Sequence, residues 1–289
     1  MQCASHIRAP YGERTRGLRC LIYLDDVIVH DSTFKRELER LRLVLSRLRA
    51  ANLKLNPKKC ELFRCKVRFL GHVVCAEGIA TNPDKIEAVK TWPVPRNAKQ
   101  VKRFVGLCTY YRRLVRSFSD VARPLHELIE KGQSFEWTKA CEESFQQLKH
   151  ALVSAPVLAY PRTTEPFLLD TDASNVGVRA VLSQVHDGEE KVIAYYSHAL
   201  SRPERNYCTT RHKLLAVVRA IENFHPYLYG RPFTVRTDHA SLQWLLTFKN
   251  PEGQMARWLE KLQTYDFRIE YMACKGHQNA DVLSMASLL

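Results

Sequence analysis

No apolar run in these 289 residues approaches the roughly 20 needed to cross a membrane, and no secretory leader is legible at the start. Nine cysteines are present, yet none form a CxxC pair or a zinc-finger spacing. Cys60 and Cys65 are the nearest neighbours, and no paired histidines accompany them. The expectation is reduced thiols in an intracellular protein, cytoplasmic or nuclear, rather than a disulfide framework or zinc site. There is no glycine-rich phosphate loop ending in Gly-Lys-Ser/Thr, no Ser/His/Asp triad order and no Asp-Thr-Gly. P-loop, serine-hydrolase and aspartic-protease chemistry are thereby set aside. Internal repeats and low-complexity tracts are missing as well.

Acid is scarce where base is dense. The chain carries 44 Lys and Arg against 30 Asp and Glu, a formal charge of +14. Such an excess favours a polyanionic partner, nucleic acid first among them. From Arg96 to Arg116 seven cations (Arg96, Lys99, Lys102, Arg103, Arg112, Arg113 and Arg116) occur without one acid. Phe104, Tyr110 and Tyr111 are interleaved with them. Cations that neutralise phosphates and aromatics that stack on bases suit a nucleic-acid track, although some of these rings belong to a core.

The most informative words are Tyr23-Leu24-Asp25-Asp26, with Leu21-Ile22 before and Val27-Ile28-Val29 after. Apolar, β-branched flanks of this length predict two short strands joined at the Asp pair. Two carboxylates thrust from a buried hairpin repel unless cations lie between them. On spacing alone, a divalent-metal site and an ordinary Asp-Asp turn are both open.

Residues 1–20 show no clear period and stand as an unassigned leader. Phe34, Leu38, Leu41, Leu45 and Leu48 recur at three and four residues, which predicts an amphipathic helix. Val67 to Val74 reads as strand–turn–strand around Gly71-His72, and Asn82-Pro83-Asp84 starts a helix that ends before Trp92-Pro93. Two or three helices are expected between Lys99 and Leu152. A Pro- and Thr-rich linker then runs from Ala155-Pro156 to Glu165-Pro166. Beyond it, strands are expected at Phe167–Thr171, Gly177–Gln184, Lys191–Tyr196, Phe233–Thr237 and Phe267–Tyr271. A helix capped by Ser201-Arg202-Pro203-Glu204 follows the third of them, and one or two helices lie between Ser241 and Gln263. Trp244, Trp258 and Tyr265 are read as core aromatics, and His239 as structural.

In this second half single acids fall at element ends: Asp172, Asp238 and Asp281. Acids from separate elements that converge at one sheet edge are what two-metal phosphodiester hydrolysis requires. Scattered Asp residues also cap helices and fill loops.

The words around these acids resemble one family. Tyr23-Leu24-Asp25-Asp26-Val27, Phe69-Leu70-Gly71-His72, Trp92-Pro93-Val94-Pro95 and Val105-Gly106-Leu107-Cys108-Thr109-Tyr110-Tyr111-Arg112 are similar to the palm and thumb of gypsy-type LTR-retrotransposon reverse transcriptases. Thr171-Asp172-Ala173-Ser174, Ala180-Val181-Leu182-Ser183-Gln184, Thr237-Asp238-His239 and Ala280-Asp281-Val282-Leu283-Ser284 resemble the RNase H domain of the same Pol polyprotein.

The resemblance implies an α/β fold: a truncated palm over 21–85, a helical thumb over 86–155 and an RNase H-like mixed-sheet domain over 156–289. It implies that Asp25 and Asp26 hold magnesium or manganese for nucleotidyl transfer. Phe69, Gly71 and His72 lie in the hairpin that grips the primer, and the basic run tracks a template–primer or RNA–DNA hybrid. It makes Asp172, Asp238 and Asp281 three of four RNase H acids, with His277 in the loop before the last. Other Pol segments are the expected protein partners, with the oligomeric state left open.

The departures carry expectations of their own. The family's third palm carboxylate lies some tens of residues upstream. Only 24 residues precede Asp25 here, and the first 20 resemble neither fingers nor that strand, so polymerisation by this chain alone is not expected. Asp31 follows the pair too closely to replace the third acid. The fourth RNase H acid, a glutamate before Leu-Leu-Ala, is Lys213 in this chain. An ammonium there opposes metal binding. Arg179 stands for a glycine, His198 for an arginine, Val282 for an alanine and Met285 for an arginine. The first three and Lys213 are each one G-to-A or C-to-T transition away, a pattern expected of a decaying methylated copy.

Overall fold

The computed structural model describes residues 20–23, 26–31, 33–130, 132–247 and 253–272. The chain divides into two compact units, one ending at Phe69 and the other beginning at Leu70.

In the first unit the apolar words form strands β1 (Cys20–Tyr23) and β2 (Asp26–Val29), antiparallel, with Tyr23 opposite Asp26. The expected helix is α1 (Phe34–Ala50). The Thr33 side chain accepts from Arg36 N at its start, and Arg47 and Arg49 complement the dipole in its last turn. Val44 and Leu48 are its buried residues. Asp31, in the loop between β2 and α1, pairs with Arg40 at 2.5 Å. Strand β3 (Lys66–Phe69) ends the unit.

The second unit opens with a tight turn. Leu70 (φ 46°) and Gly71 (φ 70°) both take left-handed torsions, those of a hairpin turn of the I′ kind. Strand β4 (His72–Cys75) pairs antiparallel with β5 (Gly78–Thr81), a strand the sequence did not announce. Asn82 then caps α2 (Pro83–Lys90), with Pro83 at the tolerated first position. Three helices follow as expected: α3 (Ala98–Tyr110), α4 (Phe118–Glu127) and α5 (Lys139–Val153). Their core is built from Val101, Phe104, Leu125, Phe145 and Leu148, with the Phe104 and Phe145 rings 4.6 Å apart.

Beyond residue 160 come β6 (Phe167–Ala173), β7 (Gly177–His186), β8 (Glu189–Ala199), α6 (Thr209–Leu228), β9 (Phe233–Thr237), α7 (Gly253–Leu262) and β10 (Phe267–Tyr271). The sheet order is β10-β9-β6-β7-β8. The β6–β7 and β7–β8 pairs are antiparallel, while β6–β9 and β9–β10 are parallel, so the sheet is mixed. Helix α6 is buried along nearly its whole length and forms a core with Leu169, Ala180, Leu182 and Val235. Trp258 is in that core and Tyr265 packs against it.

The expected capping box exists but closes a different element. Glu204 accepts from the backbone and hydroxyl of Ser201 around a single 3-10 turn, Glu204–Asn206. The long helix starts only at Thr209. No helix among the described residues is long and apolar enough to cross a membrane. The described cysteines are all free thiols.

Candidate functional site

Strand β6 carries Asp172 near its end, and β9, its parallel neighbour, delivers Asp238 just past Thr237. The acids, separated by a long stretch of chain, thus come to one end of the sheet. Helix α6 packs over β6 and brings Lys213 between them. The Lys213 ammonium donates to Asp172 Oδ1 at 2.8 Å and to Asp238 Oδ1 and Oδ2 at 2.5 and 2.7 Å. Lys213 is 8% exposed, so this ammonium has traded water for three carboxylate oxygens. Burial alone would raise the Asp172 carboxyl, but the Lys213 hydrogen bond and charge, with Arg179 behind, bring it below its ordinary value. Burial likewise opposes the Lys213 charge, and the two aspartates overcome it and raise its pKa.

Arg179 stands directly across from Asp172 in the β6–β7 register, which sends both side chains to the same face. Its guanidinium lies 3.6 Å from Asp172 Oδ2 and 3.2 Å from Asp120 Oδ2. A cavity of about 250 Å³ opens beside this chain of charges, lined by Arg116, Ser117, Asp172, Arg179, Tyr196 and Asp238. Farther along the sheet, Arg236 bridges Asp170 and Glu190, and Glu190 also accepts from Ser183. Burial works against the Arg236 charge, and its two acid partners hold it above the ordinary arginine value. No sequence word had singled out Asp120 or this Arg236 network.

A divalent ion needs carboxylate oxygens to itself. Here three of the four carboxylate oxygens of Asp172 and Asp238 accept from an ammonium, and no cluster of three His, Cys, Asp or Glu among the described residues converges to hold a metal. The described residues at this place do not fit a two-metal centre. Asp25, Asp281 and His277 lie outside the described residues, as does the side chain of Trp244. Asp26 is exposed at the first position of β2.

The basic run divides by helical geometry. Lys99, Lys102, Arg103, Gly106 and Tyr110 fall on the exposed face of α3, and Arg96 is exposed just before its start. Arg116 is exposed beside the acid cavity. Of the remaining three, Tyr111 and Arg112 need correction. Tyr111 is 1% exposed, its hydroxyl donating to the Gly71 carbonyl at 2.5 Å, so the ring fills the core and cannot stack on a base. Arg112 donates to the Ser197 carbonyl at 2.5 Å and lies over the Phe118 ring. Arg113 donates to the Tyr227 hydroxyl and covers its ring. Arg112, half-buried, serves packing, whereas Arg113 makes its contact from an exposed position.

The Gly71 turn leans on the same helix: Tyr110 donates to the Leu70 carbonyl, and the His72 ring lies 5.3 Å from Tyr110 and 5.2 Å from Tyr111. Phe69, the last residue of β3, is half-buried. His239 shares a hydrogen bond with Thr210 at 3.1 Å, a structural contact between the β9 end and the start of α6.

Residues 162–265 match the RNase H-like domain found in reverse transcriptase, and residues 2–74 match reverse transcriptase (RNA-dependent DNA polymerase). The second match begins at residue 2 and corrects the reading of the first 20 residues as unlike the family. The chain is 38% identical over 270 residues to the retrovirus-related Pol polyprotein from transposon 412 of Drosophila melanogaster, covering 93% of this chain and 22% of that protein. It is 36% identical to the corresponding polyprotein from Drosophila transposon 297, covering 98% and 26%. A Schizosaccharomyces pombe transposon Tf2-3 polyprotein is 33% identical, with 91% and 20% covered. The chain thus spans about a quarter of these relatives' length.

In fold, it superposes on a foamy viral protease–reverse transcriptase in complex with double-stranded DNA with a TM-score of 0.82. That match has 23% identity and covers 93% of this chain and 49% of that one. The same foamy viral protein with an RNA/DNA hybrid gives 0.82 at 22% identity, covering 95% and 38%. Divalent metals serve both matched families in general. The chain thus carries a reverse-transcriptase stretch followed by the RNase H-like domain found in reverse transcriptase, and its homologues are the Pol polyproteins of retrotransposons.

Proposed function

We propose that this chain is the palm (21–85), thumb (86–155) and RNase H-like part (156–289) of a gypsy-type Pol protein, which binds an RNA–DNA hybrid or template–primer and does not cut it. Its lineage is RNA-directed DNA polymerase with ribonuclease H. The observation that carries the loss of cutting is the Lys213 ammonium seated on Asp172 and Asp238, within 2.8 Å of both. Supporting retained binding are the +14 charge and the exposed α3 face of Lys99, Lys102, Arg103 and Tyr110. That face offers cations for phosphates and an aromatic ring beside them. The foamy viral relative in fold is seen with just such a hybrid.

An RNA–DNA hybrid incubated with the protein and magnesium or manganese tests both halves. The expected result is salt-dependent binding with no cleavage above that of Asp172→Asn. Changing Lys99, Lys102 and Arg103 together to Ala should lower the salt slope of binding by about 2–3. Robust cleavage abolished by Asp172→Asn would overturn the non-cutting reading. Absence of binding at low salt would overturn the other half.

A further inference from the structure

We infer that Arg179 is a second metal-excluding cation, held in place by Asp120, so that replacing Lys213 alone does not rebuild a metal site. The inference rests on the reading that Lys213 has displaced metal, and it deepens that reading. The two oxygens of Asp172 have different partners: Oδ1 takes the Lys213 ammonium and Oδ2 faces the Arg179 guanidinium at 3.6 Å. Removing Lys213 frees only the first. A divalent ion at Asp172 would still meet a positive charge within a few ångströms, which disfavours it.

Arg179 is held from both sides. In register it lies opposite Asp172 on β6 and opposite Ser197 on β8. Its Nε lies 3.2 Å from Asp120 Oδ2 and, with no hydrogen-bond partner among the described residues, is held there by charge. Asp120 belongs to the first turn of α4, and that turn is fastened to the same strand. Ser119 N donates to Ser197 Oγ at 2.8 Å, and Arg112 donates to the Ser197 carbonyl. Gly177, one step along the same face of β7, leaves the room this requires, because a Cβ there would come within 2.7 Å of Asp120 Oδ1. The charge chain Asp120–Arg179–Asp172–Lys213–Asp238 therefore ties a helix of the preceding segment to the sheet and covers both oxygens of Asp172.

Electron paramagnetic resonance of Mn2+ titrated into the full chain carrying Asp25→Asn and Asp26→Asn, a background otherwise wild type and common to all samples, tests this without any cleavage assay, with thermal midpoints reporting whether each variant folds. The wild type and Arg179→Ala are expected to bind no Mn2+ at millimolar concentration. Lys213→Glu should bind weakly, and the double variant at least about 10-fold more tightly. If Arg179→Ala fails to fold, Arg179→Gln keeps the length of the side chain and removes its charge. Equal affinity of Lys213→Glu and the double variant would overturn the role of Arg179 while leaving that of Lys213 intact. No binding by a folded double variant would also overturn it. Binding by the wild type would overturn the underlying reading of Lys213.

Discussion

Lys213 meets three carboxylate oxygens from a position 8% exposed, while Asp172 keeps 44% of its side chain open to water. Lys213→Met should therefore cost about 2 kcal/mol, less than the roughly 3–5 of a fully buried pair, because screening discounts the Asp172 side. The pH dependence follows from two opposite shifts. Asp172 is depressed below its ordinary 3.8, so its contribution is present above that value and is lost as pH falls below it. Lys213 is raised above 10.5, so its contribution is complete below that value and is lost as pH rises beyond it. Chemical denaturation across pH should show the gap between wild type and Lys213→Met flat between these limits and closing outside them. A gap that closed near neutrality would contradict the pairing.

What sequence could show at this scale was the residue type at the fourth acid position, through Leu214-Leu215-Ala216. It could not show that the ammonium turns onto both acids. Nor could it show that Asp120 reaches Arg179, since no local pattern links a helix start to a distant strand. Tyr110 and Tyr111 make the same point: neighbours in sequence at the end of α3, one is exposed and one is core.

Among elements, the strongly periodic ones were legible: α1, the three helices between Lys99 and Leu152, and the five strands of the mixed sheet with their order in the chain. Strand β5 was not, because four residues, Gly78–Thr81, carry too little pattern and pair partly with a distant partner. Ile79 exchanges two backbone hydrogen bonds with Leu158, at 2.8 and 2.9 Å. The start of α6 was misplaced because a Ser-x-x-Glu box stabilises any short helical turn, here a 3-10 turn with no continuation.

The β5 contact makes a sharp pair of predictions. Gly78 has φ 146°, and a Cβ there would fall 2.0 Å from the Leu158 carbonyl oxygen. Gly78→Ala should destabilise by more than about 2 kcal/mol. At Gly106, inside α3, a Cβ meets nothing within 4 Å. Gly106→Ala should stabilise by about 0.5–1 kcal/mol. Urea midpoints at unchanged slope distinguish the two signs.

At the scale of the whole molecule, the excess of 14 positive charges is not spread evenly. Of the 44 Lys and Arg, some are used internally, as Lys213, Arg179, Arg236 and Arg112 are, and others are presented outward on α3. Net charge alone could not separate these uses, since an arginine tied to a carbonyl and one facing solvent count alike. The element order was readable from periodicity, and the Pol lineage from the resemblance its motifs carry. The state of the carboxylate site was not, because it depends on which oxygens are already taken. With its ammonium on both aspartates, Lys213 is the cation resident in that site. Anomalous diffraction from crystals of the chain soaked in Mn2+ measures this most directly. No manganese peak is expected between Asp172 and Asp238, with density for the Lys213 ammonium in its place. A manganese peak bridging the two aspartates, with Lys213 displaced, would contradict it.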